Sequence, residues 1–129
     1  MTETDKKKIL IVDDDADLRR GLNVRLRANN YETVFATDGM SAISVAQKER
    51  PDLVVLDLGL PAGDGFTVME RFKAIAPLSV VPIIVVSARD PQVNRDRALK
   101  AGAETFLQKP VDNDELLSAI RKALGEPIA

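Results

Sequence analysis

The sequence predicts an α/β fold in which five strands alternate with five helices and form a parallel sheet covered on both faces. Three continuously apolar runs, at residues 9–12, 53–56 and 82–86, are short and rich in strand-forming residues. Such runs indicate strands that are buried on both faces, as in a parallel sheet. Segments with helical spacing of apolar residues follow these runs, and this alternation implies right-handed crossovers within one sheet.

The composition limits the chemistry that this chain can perform. Its 129 residues, 45% of them apolar, suffice for one domain with a substantial core. The lack of cysteine excludes disulfides and thiolate metal sites, and the lack of histidine excludes a Ser-His-Asp arrangement and imidazole zinc sites. The net charge of −2 indicates no general attraction to nucleic acid. No apolar run approaches the roughly 20 residues of a membrane span. The start at 1–8 is polar, without the apolar region of a signal peptide, so we expect a cytoplasmic protein.

Five repeats of strand and helix account for almost the whole chain. An aspartate that can act as N-cap precedes each helix, at positions 15, 38, 64, 90 and 112. The strand at 31–36 alternates only loosely and is expected nearer the edge of the sheet, and residues 77–81 are expected to form a loop. The predicted strands are 9–12, 31–36, 53–56, 82–86 and 105–108, and the predicted helices are about 16–28, 40–49, 65–75, 91–101 and 113–124.

Apolar residues at helical spacing identify the faces that should be buried. The fourth helix has few large apolar residues, so we expect it to pack thinly. The helix residues expected to face the core are Leu18, Leu22, Leu26, Met40, Ile43, Ala46, Phe66, Met69, Phe72, Leu116, Leu117, Ile120 and Leu124.

Polar residues stand at the carboxyl ends of four of the five strands: Asp13 and Asp14, Asp57, Ser87 and Lys109. Because the carboxyl ends of parallel strands share one edge of a sheet, these side chains should converge there. Three carboxylates without histidine suit Mg²⁺. A lysine and a hydroxyl would balance an incoming phosphoryl group, which an aspartate can accept as a nucleophile. We therefore predict that Asp57 is the central functional residue.

Six segments are informative through their order and spacing: Ile-Leu-Ile-Val-Asp-Asp-Asp, Pro-Asp-Leu-Val-Val-Leu-Asp, Leu-Pro-Ala-Gly-Asp-Gly, Val-Val-Ser-Ala, Ala-Gly-Ala and Phe-Leu-Gln-Lys-Pro. With them the sequence resembles the receiver domain of bacterial two-component response regulators, from about Lys7 to Leu124. The resemblance implies a flavodoxin-like, doubly wound α/β fold with strand order 2-1-3-4-5. We therefore expect a single receiver domain over 1–129, with its core at about 7–124.

The resemblance implies that Asp57 accepts a phosphoryl group from a phosphohistidine on a sensor histidine kinase or histidine phosphotransfer protein. It also implies that Mg²⁺ is bound directly by Asp14, Asp57 and the backbone carbonyl of Gly59, with Asp13 acting largely through a metal-bound water. Such a protein catalyses only its own phosphorylation and slow dephosphorylation. It would act as a signalling switch and not as an enzyme with a separate substrate.

The resemblance assigns further residues to the switch itself. Lys109 would contact the phosphoryl group, and the Lys109–Pro110 bond would be cis. Ser87 would move toward a phosphoryl oxygen, and Phe106 would turn inward into the space that Ser87 leaves. Phe106 also suits a plain core position. Because it replaces the commoner tyrosine of this family, its signal cannot depend on a phenolic hydrogen bond.

Gly59 and Arg89 occupy the two positions that tune the attack of water on the acyl phosphate in this family. Gly59 has no side chain, and Arg89 is neither an acid nor an amide. We therefore predict slow self-dephosphorylation.

The chain contains no recognisable DNA-binding segment, so we expect output through protein contacts. The resemblance implies a target-binding face formed by the fourth helix, the fifth strand and the fifth helix, and a monomer or weak dimer. The arginines of the first helix suit a solvated face, although this family docks its phosphodonor near that helix. They are Arg19, Arg20, Arg25 and Arg27.

Two other functions share parts of this pattern. A Mg²⁺-dependent phosphatase of the haloacid dehalogenase type also uses a strand-end aspartate, a hydroxyl and a lysine, but it needs a second aspartate where this chain has Gly59. A small flavin carrier would need a hydroxyl-rich phosphate loop and stacking aromatics. Here three acids follow the first strand, and aromatic residues make up only 4% of the chain.

Overall fold

The computed structural model describes residues 6–61 and 64–127. The two ends of the expected domain lie outside the described residues, as do Ala62 and Gly63 of the Leu-Pro-Ala-Gly-Asp-Gly segment. The elements are β1 (Lys8–Val12), α1 (Ala16–Ala28), β2 (Glu32–Ala36), α2 (Gly39–Glu49), β3 (Leu53–Leu56), α3 (Gly65–Ala74), β4 (Ile83–Ser87), α4 (Pro91–Lys100), β5 (Thr105–Gln108) and α5 (Asn113–Leu124).

The five strands form one parallel sheet in the order β2-β1-β3-β4-β5. This order confirms the flavodoxin-like fold implied by the resemblance, and it confirms β2 near the edge. The three apolar runs form the central strands β1, β3 and β4, which are buried on both faces. In the register, Val12 lies opposite Leu56 and Leu56 lies opposite Val85, so the three strands end almost level.

Two layers of helices cover the sheet. Alternate strand residues, such as Ile9 and Ile11, face α1 and α5, whereas Leu10 and Val12 face α2, α3 and α4. Residues contributed by the helices to the first layer include Leu22, Leu26, Leu116, Leu117 and Ile120. Those contributed to the second include Ala42, Ile43, Ala46, Phe66, Met69 and Phe72.

All five predicted aspartate caps are present. The side chains of Asp15, Asp38, Asp64, Asp90 and Asp112 each accept a hydrogen bond from a backbone N–H in the first turn of the helix that follows. These caps fix the start of every helix at the edge of the sheet where the strands end. They therefore help to position the loops that carry the candidate site.

The structure corrects the sequence prediction in two places. Met40 is 71% exposed because the buried stripe of α2 begins one residue earlier, at Gly39, and Met40 falls outside it. Residues 78–80 form a short 3-10 turn within the predicted loop. The inward orientation of Leu18 is confirmed, since this partly buried side chain packs against the core. The thin packing of α4 is confirmed, since Ala98 is its one buried residue across a helix that is described in full.

None of the helices in the described part of the chain has the length and apolar character needed to cross a membrane.

Candidate functional site

The register of the sheet brings the predicted polar residues together. Asp13 follows β1 and Asp57 follows β3, and the backbone N–H of Asp57 donates to the carbonyl of Val12 at 3.0 Å. On the other side, the backbone N–H of Lys109 donates to the carbonyl of Ser87, the last residue of β4, at 2.8 Å. The ladder thus continues past the strand ends, and it holds these residues side by side.

Three carboxylates form the acidic part of the site. One carboxylate oxygen from each of Asp13, Asp14 and Asp57 lies within 4.8 Å of the others. Asp13 is 3% exposed and Asp57 is 9% exposed, whereas Asp14 is open to solvent. Carboxylates this close repel one another. The backbone N–H of Asp15 partly compensates them by donating to Asp13 Oδ1 at 2.9 Å.

Lys109 is the cation that sits among these acids. Its Nζ donates to Asp13 Oδ2 at 2.8 Å and lies 3.5 Å from Asp57 Oδ2. Burial raises the pKa of the Asp57 carboxyl above its usual value. The positive charge of Lys109 lowers this pKa and the negative charge of Asp13 raises it, and the overall shift is upward. Burial lowers the pKa of Lys109, but the hydrogen bond with Asp13 and the charges of both acids outweigh it, so the net pKa of Lys109 is raised.

Ser87 and Phe106 lie inside the protein on the neighbouring strands β4 and β5. Ser87 is buried, and its Oγ accepts a hydrogen bond from the backbone N–H of Arg89 at 3.1 Å. Phe106 is also buried and packs in the core with residues such as Val85 and Ala98. The Lys109–Pro110 peptide bond is cis, as the resemblance implied.

Gly59 and Arg89 lie in the two loops beside Asp57. The backbone N–H of Gly59 donates to Asp57 Oδ1 at 3.3 Å. Among the described residues, no heavy atom beyond the neighbouring residues lies within 4 Å of where a Cβ on Gly59 would stand. Arg89 forms an ion pair with Asp64 at 3.1 Å. Sequence patterns do not indicate this pair, because they predict Asp64 only as a helix cap and no periodicity links residues in different loops.

A groove of about 860 Å³ opens beside the acidic cluster, between α1 and the segment that follows β5. Lys109 lines this groove and also contacts the acidic cluster, so the groove and the site adjoin at this residue. The side chains that line it include Leu18, Leu22, Val24, Arg25, Lys109 and Pro110.

The donor set fits a hard divalent cation. The cluster offers only carboxylate oxygens, without imidazole or thiolate, and these are ligands that Mg²⁺ accepts. The lysine beside them suits a neighbouring anion such as a phosphoryl group. The fold and the site together define a parallel α/β protein with an acidic, lysine-bearing pocket at its strand ends.

Comparison with known proteins identifies the family to which this chain belongs. Residues 9–121 match the model of the response regulator receiver domain. The probable transcriptional regulator ycf27 of Cyanophora paradoxa is 40% identical over 122 residues, which make up 95% of this chain and 50% of the relative. The chain belongs to the receiver domain family of response regulators, and it spans about half the length of the curated relatives it matches first.

Two solved structures show the same fold. A candidate response regulator from Chloroflexus aurantiacus superposes with a TM-score of 0.88 at 30% identity, covering 94% of this chain and 99% of that one. The receiver domain of the sensor histidine kinase PA1611 from Pseudomonas aeruginosa gives 0.85 at 29% identity with the same coverage, and its structure holds a magnesium ion in the active site cleft. The chain is therefore a receiver domain of two-component signalling, and the phosphatase alternative receives no support.

Proposed function

We propose that Asp57 is the phosphoacceptor of this receiver domain and that its phosphorylation changes the surface offered to a target protein. The observation that carries the proposal is the contact of one lysine with two nearly buried carboxylates, Asp13 and Asp57, at the ends of adjacent strands. A parallel sheet concentrates its chemistry at this edge. We propose further that residues 1–129 form one domain with its core at about 7–124, since all five strands belong to one sheet.

The proposed reaction transfers a phosphoryl group from a phosphohistidine to Asp57. A carboxylate oxygen forms the new bond to phosphorus while the phosphorus–nitrogen bond of the donor breaks, and the imidazole leaves with the bonding electrons. Lys109 lies 3.5 Å from Asp57 Oδ2, where its ammonium group would attract the phosphoryl oxygens. Transfer of this kind depends mainly on positioning and on charge stabilisation.

The proposed cofactor is Mg²⁺, held by Asp14, Asp57 and the backbone carbonyl of Gly59, with Asp13 acting through water. The magnesium ion in the cleft of the Pseudomonas aeruginosa receiver domain supports this assignment, as does the acidic cluster of this chain. The bound cation would neutralise charge on the transferred group.

We propose that Ser87 and Phe106 transmit the phosphorylation signal from Asp57 to the target-binding surface. The Ser87 hydroxyl now accepts from the Arg89 N–H, and it would turn to a phosphoryl oxygen after transfer. Phe106 is already inside the protein, so the switch requires the unphosphorylated protein also to populate a state with this ring outside. Exposed Val93 and Leu99 on α4 support a target face formed by α4, β5 and α5.

The proposed donor is a sensor histidine kinase or a histidine phosphotransfer protein, acting in the cytoplasm on a monomer or weak dimer. The apolar groove between α1 and the segment after β5 supports this partner, because Lys109 is one of the residues that line it. Val24, 67% exposed on the rim of the groove, and Arg25 in its lining would contact the donor. We propose no direct contact with nucleic acid by this domain.

We propose that Gly59 and Arg89 make the acyl phosphate long-lived. The Gly59→Asn, Arg89→Glu variant should lose its phosphoryl group at least severalfold faster, because an amide and an acid could hold the attacking water. The space beside Gly59 admits a side chain. Adduct decay followed by intact mass measures the rate, and a Gly59→Asn, Arg89→Met variant separates loss of the cation from gain of an acid. An unchanged lifetime would refute the assignment.

Incubation with acetyl phosphate tests the proposed reaction. The intact mass should show one phosphoryl group per chain with Mg²⁺ present and much less after chelation. The absence of an adduct under both conditions would overturn the proposal. Continuous release of phosphate at high turnover would instead favour a phosphatase.

A further inference from the structure

An ion pair connects the two loops beside the acceptor. Arg89 Nη2 lies 3.1 Å from Asp64 Oδ2. Asp64 stands in the loop after β3, the strand that leads to Asp57, and Arg89 stands in the loop after β4, the strand that ends on Ser87. Because β3 and β4 are neighbours in the sheet, the pair crosses from one side of the candidate site to the other.

Both ends of the pair are anchored close to the reacting groups. A Cβ on Gly65, the residue after Asp64, would lie only 2.7 Å from the carbonyl oxygen of Asp57, so the start of α3 rests on the acceptor's own backbone. At the other end, the backbone N–H of Arg89 donates to Ser87 Oγ. The pair is thus part of the site entrance.

Asp64 is oriented for this contact by a second hydrogen bond. Its Oδ1 accepts from the backbone N–H of Phe66 at 2.8 Å, which leaves Oδ2 directed at Arg89. The guanidinium of Arg97 stacks 3.7 Å from the centre of the Phe66 ring and ties α4 to the same turn. The guanidinium of Arg89 is therefore held by Asp64, a group that the proposed phosphoryl transfer does not itself use.

We propose that Asp64 is a positioning residue for phosphoryl transfer: it holds Arg89 at the entrance and offsets its charge, which limits the attraction of small anionic phosphodonors. This inference rests on the proposed function of Asp57. With acetyl phosphate, a carboxylate oxygen of Asp57 bonds to phosphorus, the bridging phosphorus–oxygen bond breaks, and acetate leaves with the electron pair. Acetyl phosphate approaches as a dianion, so an arginine released from Asp64 would attract it.

The Asp64→Asn variant tests the inference. Asparagine keeps the helix cap but loses the charge that holds Arg89. With Mg²⁺ present, its rate of phosphorylation by acetyl phosphate should rise roughly 1.5- to 5-fold, the range expected for a half-exposed ion pair. The rise should be smaller with phosphoramidate, which carries less negative charge, and it should shrink at high salt.

Two controls separate positioning from other effects. Asp96→Asn removes an equal charge from the exposed pair with Lys100 and should leave both rates unchanged. In an Arg89→Gln background, Asp64→Asn should raise the rate less than it does in the parent, because the charge of the carboxylate is still lost but there is no arginine to release. Equal changes with both donors, or the same change without Arg89, would overturn the role of Asp64.

A parent protein that accepts no phosphoryl group would overturn the proposed function as well, whereas a phosphorylated parent with an unaffected variant overturns this inference alone.

Discussion

Replacing Lys109 with methionine removes the positive charge from the site while preserving an apolar stem of similar length. The substitution leaves Asp13, 3% exposed, and Asp57, 9% exposed, facing each other without a cation. Removal of one partner from a buried ion pair leaves a charge that neither water nor protein compensates. We therefore expect Lys109→Met to destabilise the fold as well as to impair phosphoryl transfer.

The distances set the size of the effect. At an effective dielectric constant of about 20, a lysine charge attracts carboxylates at 2.8 and 3.5 Å by about 6 and about 5 kcal/mol, before desolvation is subtracted. Loss of one partner of a buried pair costs about 3–5 kcal/mol. Because the Lys109 side chain is 19% exposed, we expect the lower end, about 3 kcal/mol at pH 7.

Urea unfolding of the parent and Lys109→Met measures this difference. The pKa of Lys109 is raised above 10.5, so its contribution is fully present below pH 10.5 and is lost as the pH rises through the higher folded value. The two unfolding curves should therefore converge at strongly alkaline pH. Added Mg²⁺ should also narrow the difference, because a cation between the carboxylates would supply the missing charge.

Lys100→Met is the matched control. Lys100 pairs with Asp96 at 3.0 Å, but both side chains are more than 70% exposed, so the cost should be below about 1 kcal/mol. Equal stability of the two variants, or a loss for Lys109→Met that does not depend on pH, would refute the electrostatic account of the site.

Three further predictions follow from individual contacts. Gly65→Ala should cost about 2–3 kcal/mol in thermal unfolding, because its Cβ would lie 2.6 Å from the backbone Cα of Leu58; an unaffected midpoint would contradict the close packing. Tyr31→Phe should cost about 1 kcal/mol at pH 7, since the hydroxyl donates to Glu126 at 2.6 Å. The pKa of Tyr31 is raised to about 12, so this loss should fade between pH 10 and 12, and a constant loss would contradict the assignment. The free energy of unfolding of Asp57→Asn should exceed that of the parent by about 1 kcal/mol at pH 7, because proteins often become more stable when a charged functional residue is neutralised. Because burial raises the pKa of Asp57, this gain should disappear toward pH 4, and a gain that persists there would have another cause.

The sequence predicted those parts of the structure that depend on local patterns. The runs that form β1, β3 and β4 are continuously apolar because both of their faces are covered, and this makes them recognisable without a partner. The aspartate caps are equally local, since each bonds within the following turn. The strand order came from the family resemblance, because residue patterns alone do not specify which strands are neighbours.

The error at Met40 and the unpredicted ion pair have a common physical origin. Ile43 lies four residues after Gly39 and three after Met40, so helical spacing alone allows either residue at the start of the buried stripe, and only packing decides between them. The pairing of Asp64 with Arg89 depends on how two loops meet in space. Convergence at the strand ends was predicted, but the preference of Lys109 for Asp13, at 2.8 Å, over Asp57 depends on side-chain geometry.

The most direct test of the central claim is the mass of the parent and of Asp57→Asn after the same incubation with acetyl phosphate and Mg²⁺. We predict one phosphoryl group on the parent and none on the variant, which keeps the size of the side chain but lacks the nucleophilic carboxylate. A phosphoryl group that persists on Asp57→Asn would contradict the assignment of Asp57 as the acceptor.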